Sequence, residues 1–393
     1  MIRVVTSRQF SRGASRHPWL FDSAIDRVEG QPQVGDDVLV VGANEKFLGY
    51  GLYNSSSRIR VRIYSWNEDQ PLTEDFWRSR VRMACDLRRK FMPAPTALNG
   101  SRLISSEADF LSGLTVDRYG GWLLAQLGSH ALQSRMELLV DELMQQTQAS
   151  GCWLRTEKGI RQAEGMPLID GLFRGETPPA FIPVEEHGLV YHVDLVDGQK
   201  TGFYLDQREN RFRVAQFASG QMLDLCCYSA GFGMNALRHG QVTHVIGVDT
   251  SKIAVENATA NVTRNGLADR YEVRHGDAFE VLTEFRNQGV RFQTIVLDPP
   301  KLVKSRSTME TGLKGYHSLN RLALDVLEPQ GTLVTCSCSG LVTHDLFQQV
   351  LREAAWQARR ELKILEARGP SPDHPQSLQC PESNYLKCYI STA

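Results

Sequence analysis

Two cysteines and an aspartate are the residues of this chain best suited to covalent chemistry. Cys336 and Cys338 follow an apolar, strand-like run, in the segment TCSCSG at 335–340. Asp298 lies about forty residues earlier, where the segment LDPPK at 297–301 ends another predicted strand. The carboxyl ends of parallel strands meet at one edge of a sheet, so the acid and a thiol can meet there. A thiolate attacks electron-poor rings, so beside a methyl donor this pair would suit methylation of a pyrimidine carbon.

A loop after the first predicted strand of the same sheet is suited to holding such a donor. Asp224 lies in that strand, and the chain continues through Tyr228, Ala230 and Gly231 in the segment CCYSAGFG at 226–233. Small residues let the backbone turn tightly and approach a ligand closely. The spacing differs from the Gly-x-Gly-x-x-Gly fingerprint, and no Walker loop is present, so a nucleotide-dependent dehydrogenase is disfavoured.

Further acids complete an ordered series for an adenosine cofactor. Asp249 ends the next predicted strand, where its carboxylate can accept hydrogen bonds from both ribose hydroxyls. Asp277 and Ala278 follow a later segment, and the acid there can contact the adenine amino group. Asp298 comes last, and the two prolines after it rigidify a turn that directs its carboxylate into the pocket. This order resembles that of the class I S-adenosylmethionine-dependent methyltransferases.

The thiol indicates which atom would be methylated. Carbon 5 of cytosine is too weak a nucleophile to attack a sulfonium methyl group, but thiolate addition to carbon 6 makes it enamine-like. Cys338 is the predicted nucleophile with Cys336 in reserve, and Asp298 is the predicted partner of ring nitrogen 3. Lys301 stands where amino-group methyltransferases usually carry an aromatic residue, which disfavours an exocyclic nitrogen as the target. The alternative is that both cysteines are small buried hydrophobic residues.

Composition is that of an ordinary globular protein. The 393 residues are 41% apolar and 23% charged, with a formal net charge of −1, and this length favours two or three domains. Eight cysteines without a Cys-x-x-Cys pair predict no metal site and fit a reducing compartment. The N-terminus lacks a signal-peptide core and no long apolar stretch is present, so we expect a soluble cytoplasmic protein without a membrane span.

The predicted fold class is α/β, with three domains. Residues 1–72 form short strands of a small β-barrel, and residues 73–186 form a central α+β domain. Residues 187–393 alternate strands and helices, which predicts a doubly wound, Rossmann-like parallel sheet.

Basic residues cluster in this nearly neutral chain. Residues 1–64 contain nine Arg or Lys and six acids, and a second basic run spans residues 78–90. Strict alternation in the segment IRVRIY at 59–64 predicts a strand whose Arg60 and Arg62 face water. Both clusters are candidates for binding nucleic-acid phosphates, the alternative being solvated surfaces without a partner.

Motifs along nearly the whole chain resemble the bacterial 23S ribosomal RNA 5-methylcytosine methyltransferases of the large-subunit methyltransferase I type. The matching segments are HPWLF at 17–21, FLG at 47–49, YN at 53–54, QKTGFYLDQR at 199–208, DPPK at 298–301, SCSG at 337–340, DHP at 373–375 and YLK at 385–387. The resemblance implies an N-terminal RNA-binding PUA domain, S-adenosylmethionine as donor and 5-methylcytosine in 23S RNA as product. It also favours Cys338, since the position of Cys336 can be apolar in the similar proteins. Ala230 stands where those proteins often have glycine.

The motif at 199–208 directly precedes the donor loop and is predicted to close over the donor. Phe203 or Tyr204 would lie against the methionine end, and Tyr204 and Asp206 are candidate donor-binding residues. The alternative is a strand and loop that pack the edge of the sheet. Two interpretations of His374 stay open: a residue of the site, or part of a surface turn.

Other classes of function also stay open. A guanine-N7 or other nitrogen methyltransferase would need no thiol, because nitrogen 7 of guanine is already nucleophilic. A catalytically silent RNA-binding assembly factor could retain a donor pocket, whereas a small-molecule methyltransferase would not need the N-terminal barrel. The sequence gives neither the target nucleotide nor the oligomeric state, and a homodimer is left open.

Overall fold

The computed structural model describes residues 2–8, 16–92, 98–195 and 202–393, in which the chain divides into two compact units. The first unit comprises residues 1–184, 193–202 and 372–383. The second comprises residues 185–192, 203–371 and 384–393. The domain boundaries expected after residues 72 and 186 stay predictions.

The first unit opens with a six-stranded sheet. Its strands are Ile2–Thr6 (β1), Trp19–Phe21 (β2), Ile25–Glu29 (β3), Asp37–Val41 (β4), Phe47–Tyr53 (β5) and Ile59–Ser65 (β6). They lie in the order β2-β6-β5-β4-β1-β3, with β1 parallel to β4 and the other neighbours antiparallel. Alternate apolar residues fill the core between them, as the sequence pattern predicts: Val4, Leu20, Val38, Val40, Val61 and Ile63. The predicted N-terminal β region is thus confirmed.

Arg62 departs from the predicted alternation. Its side chain is buried instead of facing water, because acids from outside the strand cover that face of the sheet. Nη2 lies 3.0 Å from Oε1 of Glu164, and Nη1 lies 3.5 Å from Oε1 of Glu107. The expectation that Arg62 faces water is therefore wrong, and its charge is neutralised within the unit.

A five-stranded sheet with three helices completes the described part of the first unit. The elements are Glu74–Arg89 (α1), Gly100–Ser105 (β7), Leu114–Tyr119 (β8), Trp122–Leu127 (β9), Met136–Thr147 (α2), Gly151–Arg155 (β10), Lys158–Glu164 (α3) and Gly171–Gly175 (β11). The sheet order is β11-β10-β9-β8-β7, and β8 turns into β9 at Gly120. The Thr73 hydroxyl caps α1 by accepting a hydrogen bond from the Phe76 amide at 3.2 Å.

The remaining elements are mostly those of the second unit. Strands Ile182–Glu186 (β12) and Leu189–Val193 (β13) form a two-stranded sheet. The other strands are Ser219–Leu225 (β14), Gln241–Asp249 (β15), Tyr271–His275 (β16), Phe292–Leu297 (β17), Leu327–Ser337 (β18), Lys363–Arg368 (β19) and Lys387–Thr392 (β20). The helices are Arg208–Ala215 (α4), Gly231–His239 (α5), Lys252–Arg264 (α6), Ala278–Gln288 (α7), Met309–Asp325 (α8) and His344–Gln357 (α9). Short 3₁₀ turns occur at Asp22–Ala24, Ser106–Asp109, Ala131–Arg135, Leu205–Gln207, Arg306–Thr308 and Pro381–Ser383.

The second unit is built on a seven-stranded sheet in the order β16-β15-β14-β17-β18-β20-β19. The first five strands are parallel, and β20 runs antiparallel between β18 and β19. Leu223, Leu225, Ile295, Leu297 and Leu333 are buried where helices cover this sheet. The predicted α/β class with a Rossmann-like sheet is confirmed. Among the described helices, none combines the length and apolar character that crossing a membrane requires.

Candidate active site

Neighbouring parallel strands bring the predicted acid and thiol to one edge of the second unit's sheet. Leu225 of β14 pairs with Leu297 of β17, which in turn pairs with Thr335 of β18. Asp298 directly follows β17, and Cys338 directly follows β18. Both residues therefore lie at the carboxyl edge, where ligands bind in open α/β sheets.

Cys338 lies against the Asp-Pro-Pro turn. Its Sγ is 3.9 Å from the carbonyl oxygen of Pro299, and its side chain is partly exposed. The preceding Asp298 accepts a hydrogen bond from Nε2 of Gln207 through Oδ2, at 3.1 Å. Burial raises the pKa of Asp298 to about 7, and the negative charge of Asp206 acts in the same direction. Asp298 can thus hold a proton near neutral pH, as a donor to a ring nitrogen must.

Cys336 is placed quite differently from Cys338. It lies within β18, is fully buried, and pairs in antiparallel register with Cys388 of β20. Burial holds the pKa of the Cys336 thiol well above its usual range, and the neighbouring Cys388 adds to this effect. The alternative of a small buried hydrophobic residue therefore describes Cys336, whereas Cys338 lies beyond the strand end.

The loop after β14 turns through three non-glycine residues with left-handed backbone. The φ angle is +61° at Cys226, +48° at Tyr228 and +66° at Ala230. Left-handed backbone costs an L-residue roughly 1–2 kcal/mol, and such strain collects at ligand sites. Asp249, at the end of β15, holds the loop in place: its carboxylate accepts hydrogen bonds from the amides of Tyr228 at 3.0 Å and Ser251 at 2.9 Å.

Asp224 is buried beneath this loop. Its Oδ2 accepts hydrogen bonds from the Gly233 amide and the Tyr271 hydroxyl, both at 3.0 Å, and burial raises the pKa of Asp224 to about 6. Its Oδ1 is buried and has no hydrogen-bond partner within the described residues. Helix α5 begins at Gly231, where a Cβ atom would lie 2.5 Å from Cδ of Arg211. A larger residue there would displace that arginine.

The motif at 199–208, predicted to close over the donor, has some residues in the core and others at the site. Residues 199–201 lie outside the described residues. Phe203 is buried against Tyr191, with ring centroids 4.8 Å apart, so it belongs to the core and not to the methionine end of a donor site. Tyr204 is 37% exposed, and its ring lies edge-on to Tyr228 with centroids 5.0 Å apart. Of the two aromatic candidates, Tyr204 is the one that can face a ligand.

Asp206 presents a second buried acceptor. Its Oδ2 accepts a hydrogen bond from the Tyr385 hydroxyl at 2.7 Å, and its backbone carbonyl accepts one from the Ser371 amide at 2.8 Å. Its Oδ1 is buried without a hydrogen-bond partner in the described part of the chain. Such an acceptor is suited to a ligand that carries N–H groups.

Asp277 lies at the same edge, beside the end of β15. Asp249 pairs with His275 of β16, two residues before Asp277. Asp277 Oδ1 caps α7 by accepting hydrogen bonds from the amides of residues 279 and 280, at 2.8 and 3.3 Å. Both contacts engage Oδ1, so within the described residues Oδ2 can still accept a hydrogen bond from a ligand. Ala278 is buried at the start of the helix.

Lys387 is a buried cation to which the sequence pattern assigns no role. It starts β20 in register with Ser337 of β18 and has no solvent-exposed surface. Its Nζ donates hydrogen bonds to the carbonyl oxygens of Ser339 and Tyr385, both at 2.8 Å. Burial lowers the pKa of Lys387 to about 8. Two signals were available in the sequence: the matching segment YLK at 385–387, and a single lysine inside the otherwise apolar run LKCYI at 386–390.

His374 lies in the first unit and is buried, so the surface-turn alternative is wrong. Its Nδ1 is 3.0 Å from Oδ1 of Asp373. The other Asp373 oxygen accepts a hydrogen bond from the Arg102 amide at 2.9 Å, and its backbone carbonyl accepts one from Nη2 of Arg88 at 2.8 Å. Through Asp373, His374 is thus packed into the hydrogen-bonded interior of the first unit.

The basic run at 78–90 is largely paired with acids of the first unit. Arg78 and Arg82 lie 3.4 and 3.0 Å from the Glu142 carboxylate. Arg80 differs, since no acidic side chain pairs with it in the described residues. Within this run, Arg80 is therefore a better candidate than Arg78 or Arg82 for a phosphate contact.

Arg80 lines a cleft of about 860 Å³ in the first unit. Its guanidinium lies 5.2 Å from the ring centroid of Phe110. The basic and aromatic residues that line the cleft are Arg16, His17, Lys46, Phe47, Trp66, Arg80 and Phe110. Cations beside aromatic faces can hold a phosphate and a stacked base together.

Comparison with known proteins now gives the family. Residues 4–66 match the PUA-like domain model, and residues 110–380 match the S-adenosylmethionine-dependent methyltransferase model. Ribosomal RNA large subunit methyltransferase I from Photobacterium profundum is 38% identical over 381 residues, covering 95% of this chain and 96% of its own. This chain belongs to the large subunit methyltransferase I family. Another member, from Shewanella denitrificans, is 39% identical over 379 residues and covers 96% of this chain and 95% of its own.

Solved structures agree with the fold of this methyltransferase family. SMU.776, crystallised in complex with SAH, has a TM-score of 0.86 at 20% identity, covering 100% of both chains. Trm5b from Pyrococcus abyssi has a TM-score of 0.51 at 13% identity and covers 70% of this chain and 74% of its own. At these identities the likeness shows the fold alone.

Methyltransferases of the matched family use S-adenosylmethionine, and the residues of the site fit that donor. Its ammonium group needs acceptors, which the unpartnered oxygens of Asp206 and Asp224 can supply. Its sulfonium is a cation suited to the exposed ring of Tyr204. Asp249 and Asp277 lie at the same edge and retain lone pairs for an adenosine.

Proposed function

We propose that this protein methylates carbon 5 of a cytosine in 23S ribosomal RNA through a transient bond between Cys338 and carbon 6. The observation that carries the proposal is the partly exposed Cys338 thiol, 3.9 Å from the Pro299 carbonyl oxygen and beside Asp298, at the carboxyl edge of the sheet. The names of the full-length relatives and the PUA-like match support large-subunit RNA as the substrate.

The loop after β14 and the acids around it would hold the donor. The proposed donor-binding residues are Tyr204, Asp206, Asp224, Tyr228, Ala230, Gly231, Asp249, Asp277, Ala278 and Asp298. When bound, S-adenosylmethionine supplies an electrophilic methyl group for carbon 5. The protein's part is to align that group and to activate the cytosine.

Cys338 provides the activation that cytosine requires. Its thiolate forms a C–S bond to carbon 6, and the ring electrons shift toward carbon 5 and nitrogen 3. Protonated Asp298 donates its proton to nitrogen 3 and so neutralises the developing charge. Once carbon 5 carries the methyl group, a base removes the carbon 5 proton and the C–S bond breaks. The ring double bond and the Cys338 thiolate are restored, and nitrogen 3 returns its proton to Asp298.

The RNA must also be held and its target base exposed. Carbon 6 is inaccessible in a stacked helix, so we expect the cytosine to be unstacked or flipped toward the sheet edge. The cleft of the first unit, with Arg80 and its aromatic lining, would hold flanking RNA. Arg80 is tested before Arg78 and Arg82, because both of those arginines pair with Glu142.

Mass mapping of the product is the primary test. Unmodified 23S RNA is incubated with the protein and isotopically labelled S-adenosylmethionine, then digested and analysed by nucleoside mass spectrometry. Label in 5-methylcytidine supports the proposal. Label in 7-methylguanosine or another N-methylated nucleoside would overturn it, and donor binding without any labelled nucleoside would favour the assembly-factor alternative.

Covalent trapping tests the mechanism. RNA containing 5-fluorocytosine should form a stable protein–RNA adduct, because the fluorine at carbon 5 cannot leave as a proton does. The adduct should be absent in C338A and present in C336A, its matched control two residues away. An adduct in C338A would reject Cys338 as the nucleophile.

RNA affinity tests the cleft. R80A should bind a 23S RNA fragment more weakly, with a shallower dependence of affinity on salt, because one phosphate contact is lost. R78A is the matched control on the same helix and should bind normally. Equal affinities of the two variants would remove Arg80 from the RNA-binding surface.

A further inference from the structure

We infer that Lys387 is a positioning residue for the proposed reaction, holding the segment that carries Cys338 and stabilising the thiolate of that cysteine. The inference rests on the proposed function for its catalytic meaning, but its physical content concerns the protein alone. Two observations carry it: the burial of Lys387, and its hydrogen bond to the residue that follows Cys338.

The geometry ties the lysine directly to the segment after β18. Nζ of Lys387 donates to the Ser339 carbonyl oxygen at 2.8 Å. Because Ser339 follows Cys338, this bond fixes the backbone just beyond the thiol. A second bond of 2.8 Å, to the carbonyl oxygen of Tyr385, holds the ammonium from its own side.

Among the described residues, the ammonium of Lys387 has no carboxylate partner. An ammonium has three N–H donors, and two of them are engaged by carbonyl oxygens. No acidic side chain forms an ion pair with Lys387 in the parts of the chain that the structure describes. Carbonyl dipoles compensate a buried charge incompletely, so an anion nearby would be strongly favoured. The thiolate of Cys338 is such an anion.

The surroundings of the pair are consistent with this coupling. Among the described residues, Tyr204 and Tyr316 interact electrostatically with Cys338, and Lys301 interacts with Lys387. Asp298 directly precedes Pro299, whose carbonyl oxygen the Cys338 thiol contacts. Burial lowers the pKa of Lys387 to about 8, whereas a negative charge on Cys338 acts to raise it. Interaction between two charges is reciprocal, so the ammonium must lower the pKa of the thiol. The pKa of Asp298 is raised to about 7, so Asp298 adds an opposing negative charge only above that pH.

The test is the ionisation of Cys338 in the full-length protein without RNA or donor. Iodoacetamide alkylation is followed at several pH values, and peptide mass spectrometry reports Cys338 separately from the other cysteines. In the wild type, the midpoint should lie below that of an unperturbed cysteine, about 8.5. A wild-type midpoint at or above that value would by itself overturn the inference.

Variants assign the effect to the charge. K387M should shift the Cys338 midpoint upward by about one pH unit or more, so alkylation at pH 7 slows roughly tenfold. K387R keeps the charge and should restore most of the shift. K301M, which removes an exposed cation near the same site, should shift the midpoint less. Equal midpoints in wild type and K387M, with both folded by circular dichroism, would reject the role.

The outcome is separable from that of the proposed function. A low, Lys387-dependent midpoint in a protein that makes no 5-methylcytosine would retain the coupling and reject the reaction. Formation of 5-methylcytosine with an unperturbed Cys338 midpoint would retain the reaction and reject the coupling.

Discussion

Buried cations of the two units are compensated in different ways, as Arg88 and Lys387 show. Arg88 in the first unit donates to both carboxylate oxygens of Asp109, at 2.6 and 2.8 Å. Lys387 in the second unit donates to the carbonyl oxygens of Ser339 and Tyr385. The bidentate arginine–carboxylate pair has no net charge, whereas the lysine site carries one whenever the amine is protonated.

This difference separates a structural cation from a functional one. The guanidinium of Arg88 also donates to the backbone carbonyls of Arg102 and Asp373, so it connects segments of the first unit. A buried net charge is costly, and a fold that retains one has usually placed it where the charge is used. At Lys387 that use would be the thiolate of Cys338.

Removal of the thiol should have the largest effect on activity. C338A should lower methylation of 23S RNA by at least about 10³-fold, because carbon 5 cannot be activated without a nucleophile. The same change should leave the melting temperature nearly unchanged, since a partly exposed small side chain is shortened. The rate is measured by labelled methyl transfer to RNA. Near-normal turnover in C338A would instead identify a nitrogen methyltransferase.

Removing Arg88 and removing Lys387 should lower the free energy of unfolding by different amounts. R88M leaves the buried Asp109 carboxylate without its partner and should lower the free energy of unfolding by about 3–5 kcal/mol. K387M leaves no buried acid behind and should change that free energy by about 1 kcal/mol or less. Urea unfolding, followed for both variants under the same conditions, provides the comparison. A larger loss in K387M than in R88M would reverse the assignment of structural and functional roles.

The pH dependence of stability sharpens this prediction. The pKa of Lys387 is lowered to about 8, so the folded state holds this proton less tightly than the unfolded state does. The stabilising contribution is therefore present above the unfolded pKa, near 10.5, and is lost as the pH falls through about 8. As the pH rises from about 8 to 10.5, the free energy of unfolding of the wild type should increase relative to that of K387M. A constant difference would show that Lys387 does not titrate in this range.

The sequence alone located the acids and the thiol because strand ends are readable. Hydrophobic runs ending before Asp298 and near Asp249 placed both acids at one edge, since parallel strands share that edge. The same reading ranked Cys338 above Cys336 but kept Cys336 in reserve. That choice depends on whether β18 ends before or after each thiol, and boundaries are the least reliable part of a sequence-based assignment.

Long-range packing explains what the sequence could not provide. Alternation predicted the strand containing Arg62 but not its burial, because Glu164 covers that face from about one hundred residues away. Lys387 shows the same limit: its role depends on β20 inserting between β18 and β19, a pairing that no local pattern encodes. In both cases the missing information is the identity of a distant partner.

Substitution of Asp298 should lower the methylation rate less than substitution of Cys338, and by an amount that depends on pH. Its pKa is raised to about 7, so the proton needed at nitrogen 3 is present below that pH and is lost above it. D298N cannot transfer a proton and should lower the rate about 10²-fold near pH 6. The ratio of wild-type to D298N activity should then fall as the pH rises through 7. A pH-independent ratio would mean that Asp298 acts only as a fixed hydrogen-bonding group.

Substitution of Cys336 should have the smallest effect on the methylation rate. It tests whether Cys338 alone supplies the negative charge near Lys387. Cys336 is fully buried beside Cys388, and burial holds its thiol pKa well above the usual range, so it cannot share the negative charge. C336A should change the methylation rate less than about threefold and cost about 1 kcal/mol from the lost sulfur packing. The alkylation midpoint of Cys338 should be the same as in wild type. A shifted midpoint would show that the buried thiol takes part in the charge network, and the contrast between Lys387 and Arg88 would then involve both cysteines.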